Sequence, residues 1–253
     1  MSIEDEINLG NLFSLYKLVA SKISEIRFVK KKEFCFIKSD HSIWPNAVFG
    51  LATEKITEAI IDEIVEVTTD CKIKPFIILK NEARSLSQIR KKGFLPIEQW
   101  VGMYYDKKFT QGLLLPDSTS VEILMLNNDD NFEEWTSLVS ESLFNNKHLD
   151  ASIFKKLRSN RVEFIVAKLV NKIIGTAMIY YDEKKIAGIY MVSVAKDYRN
   201  KGIAKKIMNF CFELIDKQGM GYCILQATKP GRPLYQSIGF KETGTYNLYM
   251  KIK

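Results

Sequence analysis

Several residue types are scarce in this chain. Only four cysteines occur in 253 residues (Cys35, Cys71, Cys211 and Cys223), none in a C-x-x-C spacing, alongside just two histidines, His41 and His148. A disulfide framework and a Cys/His zinc centre are therefore not expected, and no metal is. Six prolines and 13 glycines, dispersed along the chain, exclude a collagen-like or low-complexity segment. The uncharged run at residues 186–195 is about half of the ~20 residues that a membrane span requires. The opening Met1-Ser2-Ile3-Glu4-Asp5-Glu6 is acidic and lacks an apolar core, so no signal peptide is read there. The expectation is a cytoplasmic protein without membrane association. No stripe of arginines interleaved with aromatics is present, which argues against a nucleic-acid partner.

What the chain does contain is ordinary for a soluble globular protein: 46% hydrophobic and 26% charged residues. At roughly 150 residues per domain, the length fits one large domain or two modest ones. The formal net charge of +7 is uneven: residues 1–112 hold 17 basic against 15 acidic side chains, residues 113–253 hold 20 against 15. That excess in the second half favours an anionic ligand. The paired lysines (Lys31-Lys32, Lys91-Lys92, Lys107-Lys108, Lys155-Lys156, Lys184-Lys185) are scattered and read as solvated surface.

Residues 112–120 carry Gly, Pro and small polar residues between two patterned regions and read as a connection. A short β-rich run at 121–126 follows, then helical spacing of Phe132, Trp135, Leu138 and Val139, then a second short helix at 151–158. Two strands at 162–170 and 173–181 flank Asn171-Lys172 as a two-residue hairpin turn. A third strand covers 186–194. Past it, Ile203, Ile207, Cys211 and Leu214 form one face of a helix, with Lys205, Lys206 and Asp216 on the other. Gly219 and Gly221 end that helix. A strand at 221–227, a Pro/Gly turn, a short helix to Ser237 and a last strand near 245–251 complete an α+β layered sheet, mixed and mostly antiparallel, covered by helices. Trp44, Trp100 and Trp135 are read as core residues, Trp44 at a strand start facing a domain interface. Cys211 and Cys223 are read as inert core thiols.

A faint repeat links the halves. Leu86-Ser87-Gln88-Ile89-Arg90-Lys91-Lys92-Gly93-Phe94 precedes Glu98 and Met103, and Leu234-Tyr235-Gln236-Ser237-Ile238-Gly239-Phe240 precedes Glu242 and Met250. Each is a short helix, a Gly-Phe step and a strand ending at Met, at matched positions in the two halves, which implies a duplicated fold.

The most informative stretch is Met191-Val192-Ser193-Val194-Ala195-Lys196-Asp197-Tyr198-Arg199-Asn200-Lys201-Gly202-Ile203-Ala204. A strand runs into a polar turn and then into a helix whose first turn has unpaired N–H groups and a partial positive charge, a seat for phosphate. Gly202 permits close approach to the backbone, Ala204 keeps the next position small, and Arg199, Lys201 and Lys205 add charge. Arg199-x-x-Gly202-x-Ala204 after a strand, with Leu234-Tyr235-x-x-x-Gly239-Phe240 further on, resembles the GNAT superfamily of acyl-CoA-dependent N-acyltransferases. Ala187-Gly188-Ile189-Tyr190 and Leu225-Gln226-Ala227 add to the likeness, which covers about residues 119–253. Residues 1–115 resemble a degenerate copy of the same fold through Trp44-Pro45-Asn46-Ala47-Val48, Pro75-Phe76-Ile77-Ile78, Gly93-Phe94 and Gly102-Met103. That copy has no counterpart of R-x-x-G-x-A. The expected division is 1–115, a structural or pocket-shaping domain, and 116–253, the acetyltransferase domain.

The resemblance implies acetyl-CoA as co-substrate. Its pyrophosphate would lie on the turn from Arg199 through Asn200, Lys201, Gly202, Ile203 and Ala204 to Lys205, and its pantetheine arm would pair with Val192 and Val194. The Val194 amide would supply an oxyanion contact. Tyr235 stands where relatives often have a tyrosine near the CoA sulfur, suited to protonate the thiolate; the alternative is a tyrosine that merely packs on the sheet. Many relatives carry a Glu as base on the strand before the turn, but that position falls at or near Gly188 here. Substitute bases are Glu163, Asp182, Glu141 or His41, or a water chain. The usual Asn before L-Y-x-x-x-G-F is also missing, replaced by Pro230-Gly231-Arg232-Pro233. The implied acceptor is a small-molecule or peptide amine in the cleft between the domains. Two rivals remain: a non-catalytic acyl-CoA-binding or sensing protein, and a tandem aminoacyl transferase using charged tRNA.

Overall fold

The protein is described by a computed structural model covering residues 3–80, 86–106, 120–127 and 129–252. In chain order, the first half holds α1 (Ile3–Lys22), β1 (Arg27–Lys30), β2 (Cys35–Lys38), β3 (Ala47–Phe49), α2 (Glu58–Thr68), β4 (Phe76–Lys80), α3 (Leu86–Lys91) and β5 (Phe94–Asp106). The second half holds β6 (Val121–Met125), α4 (Phe132–Leu143), α5 (Ala151–Leu157), β7 (Val162–Leu169), β8 (Lys172–Tyr181), β9 (Ile186–Val194), α6 (Ile203–Lys217), β10 (Tyr222–Ala227), α7 (Arg232–Ser237) and β11 (Lys241–Lys251). Local chemistry sets several of these ends. Thr57 caps α2 by accepting from Ile60 N–H, and Asp150 caps α5 by accepting from Ser152 N–H at 2.8 Å.

The strands of the described residues form one 11-stranded sheet in the order β1-β2-β3-β4-β11-β5-β10-β9-β8-β7-β6. Pairing is antiparallel except at β3–β4 and β9–β10, so the α+β, mostly antiparallel expectation holds. Read along the chain, β5 should close the first half and β11 the second. In the fold they are exchanged: β11 lies between β4 and β5, and β5 lies between β11 and β10. Their antiparallel seam runs from Lys241 opposite Tyr104 to Lys251 opposite Phe94, with two register shifts. The expected division at 115/116, and all of the 112–120 connection except Ser120, lie outside the described residues.

Helices cover both faces of the sheet. Leu12, Leu15, Tyr16 and Val19 of α1 pack with Trp135 of α4 and Phe154 of α5 in one cluster. On the second half, α6 brings Ile203, Ile207, Met208 and Cys211 against the sheet, and Tyr235 of α7 joins that cluster. Ile61 and Ile64 of α2, with Ile89 of α3, cover the first half. Two asparagines of α1 are buried as well, and buried amides must find partners. Asn8 Nδ2 donates to the carbonyls of Met103 and Leu225, each at 3.0 Å, and so bridges β5 and β10. Asn11 Nδ2 donates to Asp182 Oδ2 at 2.9 Å and to the Ile186 carbonyl at 3.1 Å, while its Oδ1 accepts from Tyr190 OH at 2.6 Å.

Three local expectations need correction. The β7–β8 hairpin turns on Val170-Asn171, one residue earlier than expected, with Leu169 opposite Lys172. Matching the buried faces decides this, because a one-residue slip would turn every side chain to the wrong side; Val170 accepts a φ of +57° as the consequence. The last strand begins at Lys241, earlier than 245, because its seam with β5 continues that far. Trp100 is only half-buried: it packs against the margin of the core and also lines a cavity.

Among the described residues, no helix is long and apolar enough to cross a membrane. The seam's tightest point is Gly102, where an added Cβ would come within 2.6 Å of Thr243 Oγ1 and 2.7 Å of the Tyr246 ring. Gly102→Val should therefore force β5 and β11 apart and lower stability by about 2 kcal/mol. Urea unfolding checks this, and an unchanged midpoint would contradict it.

Candidate active site

The candidate site begins where two parallel strands part. β9 and β10 pair only at Ile186–Tyr222, Ala187–Cys223 and Gly188–Ile224. Beyond that, β10 stays with β5 and β9 stays with β8. A bulge in β9 marks the divergence: the register jumps between Thr176/Ser193 and Met178/Tyr190, and Met191 adopts φ +53°. Bulges bend a strand and increase its twist. Thr176 Oγ1 donates to the Met191 carbonyl at 2.9 Å and fixes the kink. The facing edges of the parted strands thus present main-chain groups to the gap. Ser193 Oγ, on the same stretch, is buried without a hydrogen-bond partner in the protein.

At the end of β9 the chain makes a 3-10 turn and enters α6 through Gly202, whose φ is +78°. A Cβ at Gly202 would meet no atom within 4 Å, so the backbone there is open to a ligand. α6 is 15 residues long, and its first N–H groups have no partner inside the helix. With the helix dipole they make an anion seat. The flanking side chains divide their work. Arg199 Nε donates to the Val194 carbonyl at 2.9 Å, bracing the turn, and the Lys201 ammonium lies 5.4 Å from the Tyr198 ring centre. Asn200 adopts φ +61°, and Ile203 is buried, so that residue offers the turn its amide rather than its side chain. Ala204 and Lys205 are half-buried.

A cavity of about 260 Å³ extends from the strand gap toward the first half. Val192 and Tyr235 line it; Val194 and residues 199–205 lie outside its wall, where β9 ends and the chain turns into α6. Tyr235 is buried with its ring 5.8 Å from Phe240 in an edge-on contact. Burial, with the Cys211 and Cys223 thiols nearby, pushes its phenol well above the ordinary tyrosine range. It therefore remains a proton donor across the physiological range.

The position expected for the strand base is closed to any side chain. A Cβ on Gly188 would collide with Asn11 Oδ1 and approach the Tyr190 ring to 2.5 Å. The four substitute bases are not at the cavity either. Glu163 accepts from Tyr181 OH at 2.6 Å, and Asp182 is buried, accepting from the Lys184 and Ile186 N–H groups and from Asn11. Glu141 and His41 are exposed elsewhere. The carboxylate that does line the cavity is Glu98 of β5, noted in the sequence only as a marker of the repeat. Glu98 is an exposed residue, yet partial desolvation raises its carboxyl above the usual range, partly opposed by the nearby Trp100 side chain. No spacing rule could find it, because it reaches the site only through the strand exchange. Among the described residues, no group of three or more His, Cys, Asp or Glu side chains could hold a metal ion.

Residues 160–242 match the family model described as an acetyltransferase (GNAT) domain, a stretch from just before β7 to the start of β11. No protein of curated function matches the chain by sequence. Among solved structures, a GCN5-related N-acetyltransferase from Kribbella flavida is similar over 96% of this chain and 95% of its own, at 12% identity and a TM-score of 0.69. A functionally unknown conserved protein from Staphylococcus epidermidis is similar over 92% and 96%, at 14% identity and a TM-score of 0.61. A GCN5-related N-acetyltransferase from Sphaerobacter thermophilus is similar over 89% and 75%, at 12% identity and a TM-score of 0.60. The chain thus shares its fold with these structures along nearly its whole length, and its residues 160–242 match a GNAT acetyltransferase domain.

The crowded Gly188 makes a direct prediction. Gly188→Ala should displace Asn11 or Tyr190 and cost about 1–3 kcal/mol in chemical denaturation, the range for overpacking a filled site. A neutral substitution would show that this slot is open after all.

Proposed function

We propose that the protein is an N-acetyltransferase that moves the acetyl group of acetyl-CoA to a primary amine by direct attack, with both substrates bound together. The carrying observation is the open Gly202 backbone at the start of α6, beside parted strands whose main-chain edges face the gap. That combination fits a long ligand with a pyrophosphate at one end and an amide-bearing arm at the other. Acetyl-CoA supplies an activated acyl thioester. The chain's residues supply the rest: the amides of the 199–205 turn hold phosphate oxygens, Val192 and Val194 offer strand hydrogen bonds to the arm, and the Val194 amide steadies the carbonyl oxygen. Tyr235, kept protonated by burial, donates to the departing sulfur. The first half (1–115) acts as a degenerate copy that lacks a phosphate turn and walls the acceptor side, while 116–253 carries the chemistry.

A second reading, a non-catalytic acyl-CoA-binding or sensing protein, draws on the filled slot at Gly188. The two differ in turnover. A thermal-shift titration should raise the melting temperature with acetyl-CoA but not with ATP or NAD, since a ligand of the folded state stabilises by mass action. No rise at millimolar acetyl-CoA would remove both readings. Gly202→Glu places a carboxylate at the anion seat and should abolish the shift; an undiminished shift in that variant would remove the turn assignment. Tyr235→Phe should lower kcat for an accepted amine at least about 10-fold with acetyl-CoA affinity unchanged. Equal kcat would leave Tyr235 as a packing residue.

A further inference from the structure

The acceptor side of the cavity has an uneven chemistry. Of the described residues that line it, only Glu98 and Lys147 carry a formal charge. The wall is otherwise dominated by large apolar and aromatic groups, among them Tyr16, Trp44, Phe76 and Trp100. Phe76 and Trp100 meet edge to face at 5.9 Å, and both line the cavity together with Glu98. One carboxylate set among aromatic faces suits one ammonium, through an ion pair and cation–π attraction together. A polycation would bring further ammonium groups against a largely apolar wall with no second carboxylate among its described residues to pair them, which is costly.

Glu98 is aimed at the cavity by a second bulge. Opposite β11, Leu248 pairs with Glu98 and Tyr249 with Pro96, leaving Ile97 as the extra residue, and both Ile97 and Glu98 line the cavity. Strand exchange brings β5 beside β10, whose Leu225 and Gln226 line the same space.

We infer that the acceptor is a monoamine carried on an apolar, aromatic-sized body, and that Glu98 receives its ammonium and takes the proton that must leave before attack. This rests on the acetyltransferase reading of the second half. The ammonium gives one proton to the Glu98 carboxylate, and the freed nitrogen lone pair forms a C–N bond at the thioester carbonyl. The C–S bond breaks with its electron pair on sulfur, which accepts the Tyr235 proton. Nitrogen loses its second proton to restore Tyr235, and Glu98 releases the first to solvent. Acetyl thioester and ammonium thus become acetamide, thiol and one proton.

The test uses the full chain, with phenethylamine and tryptamine as probes against spermidine and kanamycin. Both monoamines should show kcat/KM at least 10-fold above the two polycations. In calorimetry with CoA present, tryptamine should bind and Glu98→Gln should weaken it about 10-fold. The same variant should keep its melting temperature and its acetyl-CoA shift, yet lose about 10²-fold in kcat/KM for tryptamine. The wild-type profile should fall on the acid side as Glu98 protonates, and that limb should vanish in Glu98→Gln. The other titratable groups lining the cavity are Lys147, Tyr16, Tyr190 and Tyr235; a Glu98→Gln variant that keeps the acid limb would assign it elsewhere and overturn the role of Glu98. Acetyl-CoA binding without preference for the monoamines overturns this inference alone. Absence of acetyl-CoA binding in the wild-type protein overturns the underlying reading and this one with it.

Discussion

The antiparallel seam between β5 and β11 is the contact on which the rest of this molecule depends. It carries backbone pairs from Phe94 to Tyr104 on one strand and from Lys241 to Lys251 on the other. Because each strand comes from the opposite half, the seam turns two sheet segments into one 11-stranded sheet. Backbone hydrogen bonds across it would be left unmade if the halves separated, and unpaired sheet edges buried away from water are expensive. Gly102 shows how closely the strands approach, with the Thr243 and Tyr246 side chains occupying the space a Cβ would need.

From that seam the geometry of the candidate site follows. β5, held by β11 on one side, presents its other edge to β10, and β10 is thereby free to part from β9 after Gly188 without leaving both of its edges unpaired. The bulge in β9 completes the divergence, and α6 begins where β9 ends. α1 locks the arrangement from one face, with Asn8 tied to both β5 and β10 and Asn11 tied to the β8–β9 turn. The price of that lock is the slot at Gly188: Asn11 and Tyr190 fill it, and a carboxylate has to come from another strand.

The two copies of the Gly-Phe-strand unit illustrate how equal local sequence leads to unequal roles. Glu242 is held at the surface by Arg232, with Nε and Nη2 at 2.6 and 2.9 Å, and by Gln236. Glu98, its counterpart in the repeat, is exposed as well but lines the cavity, with no arginine among the described residues of that wall. The difference lies in what each strand is packed beside, which the repeat itself does not encode.

Local pattern was enough to read the α+β class and the order of elements from β6 to α7. Each of these rests on short-range rules: period-two and period-3.6 burial, and turn residues. The β7–β8 turn was misplaced by one residue because only pairing of the two buried faces sets that register. Strand exchange, the closure of Gly188 and the arrival of Glu98 were illegible for a stronger reason. They depend on contacts between residues more than a hundred positions apart, such as Asn11 with Tyr190 and Glu98 with Leu248. Sequence periodicity says which face of a strand is buried; the choice of neighbouring strand is made by the whole sheet.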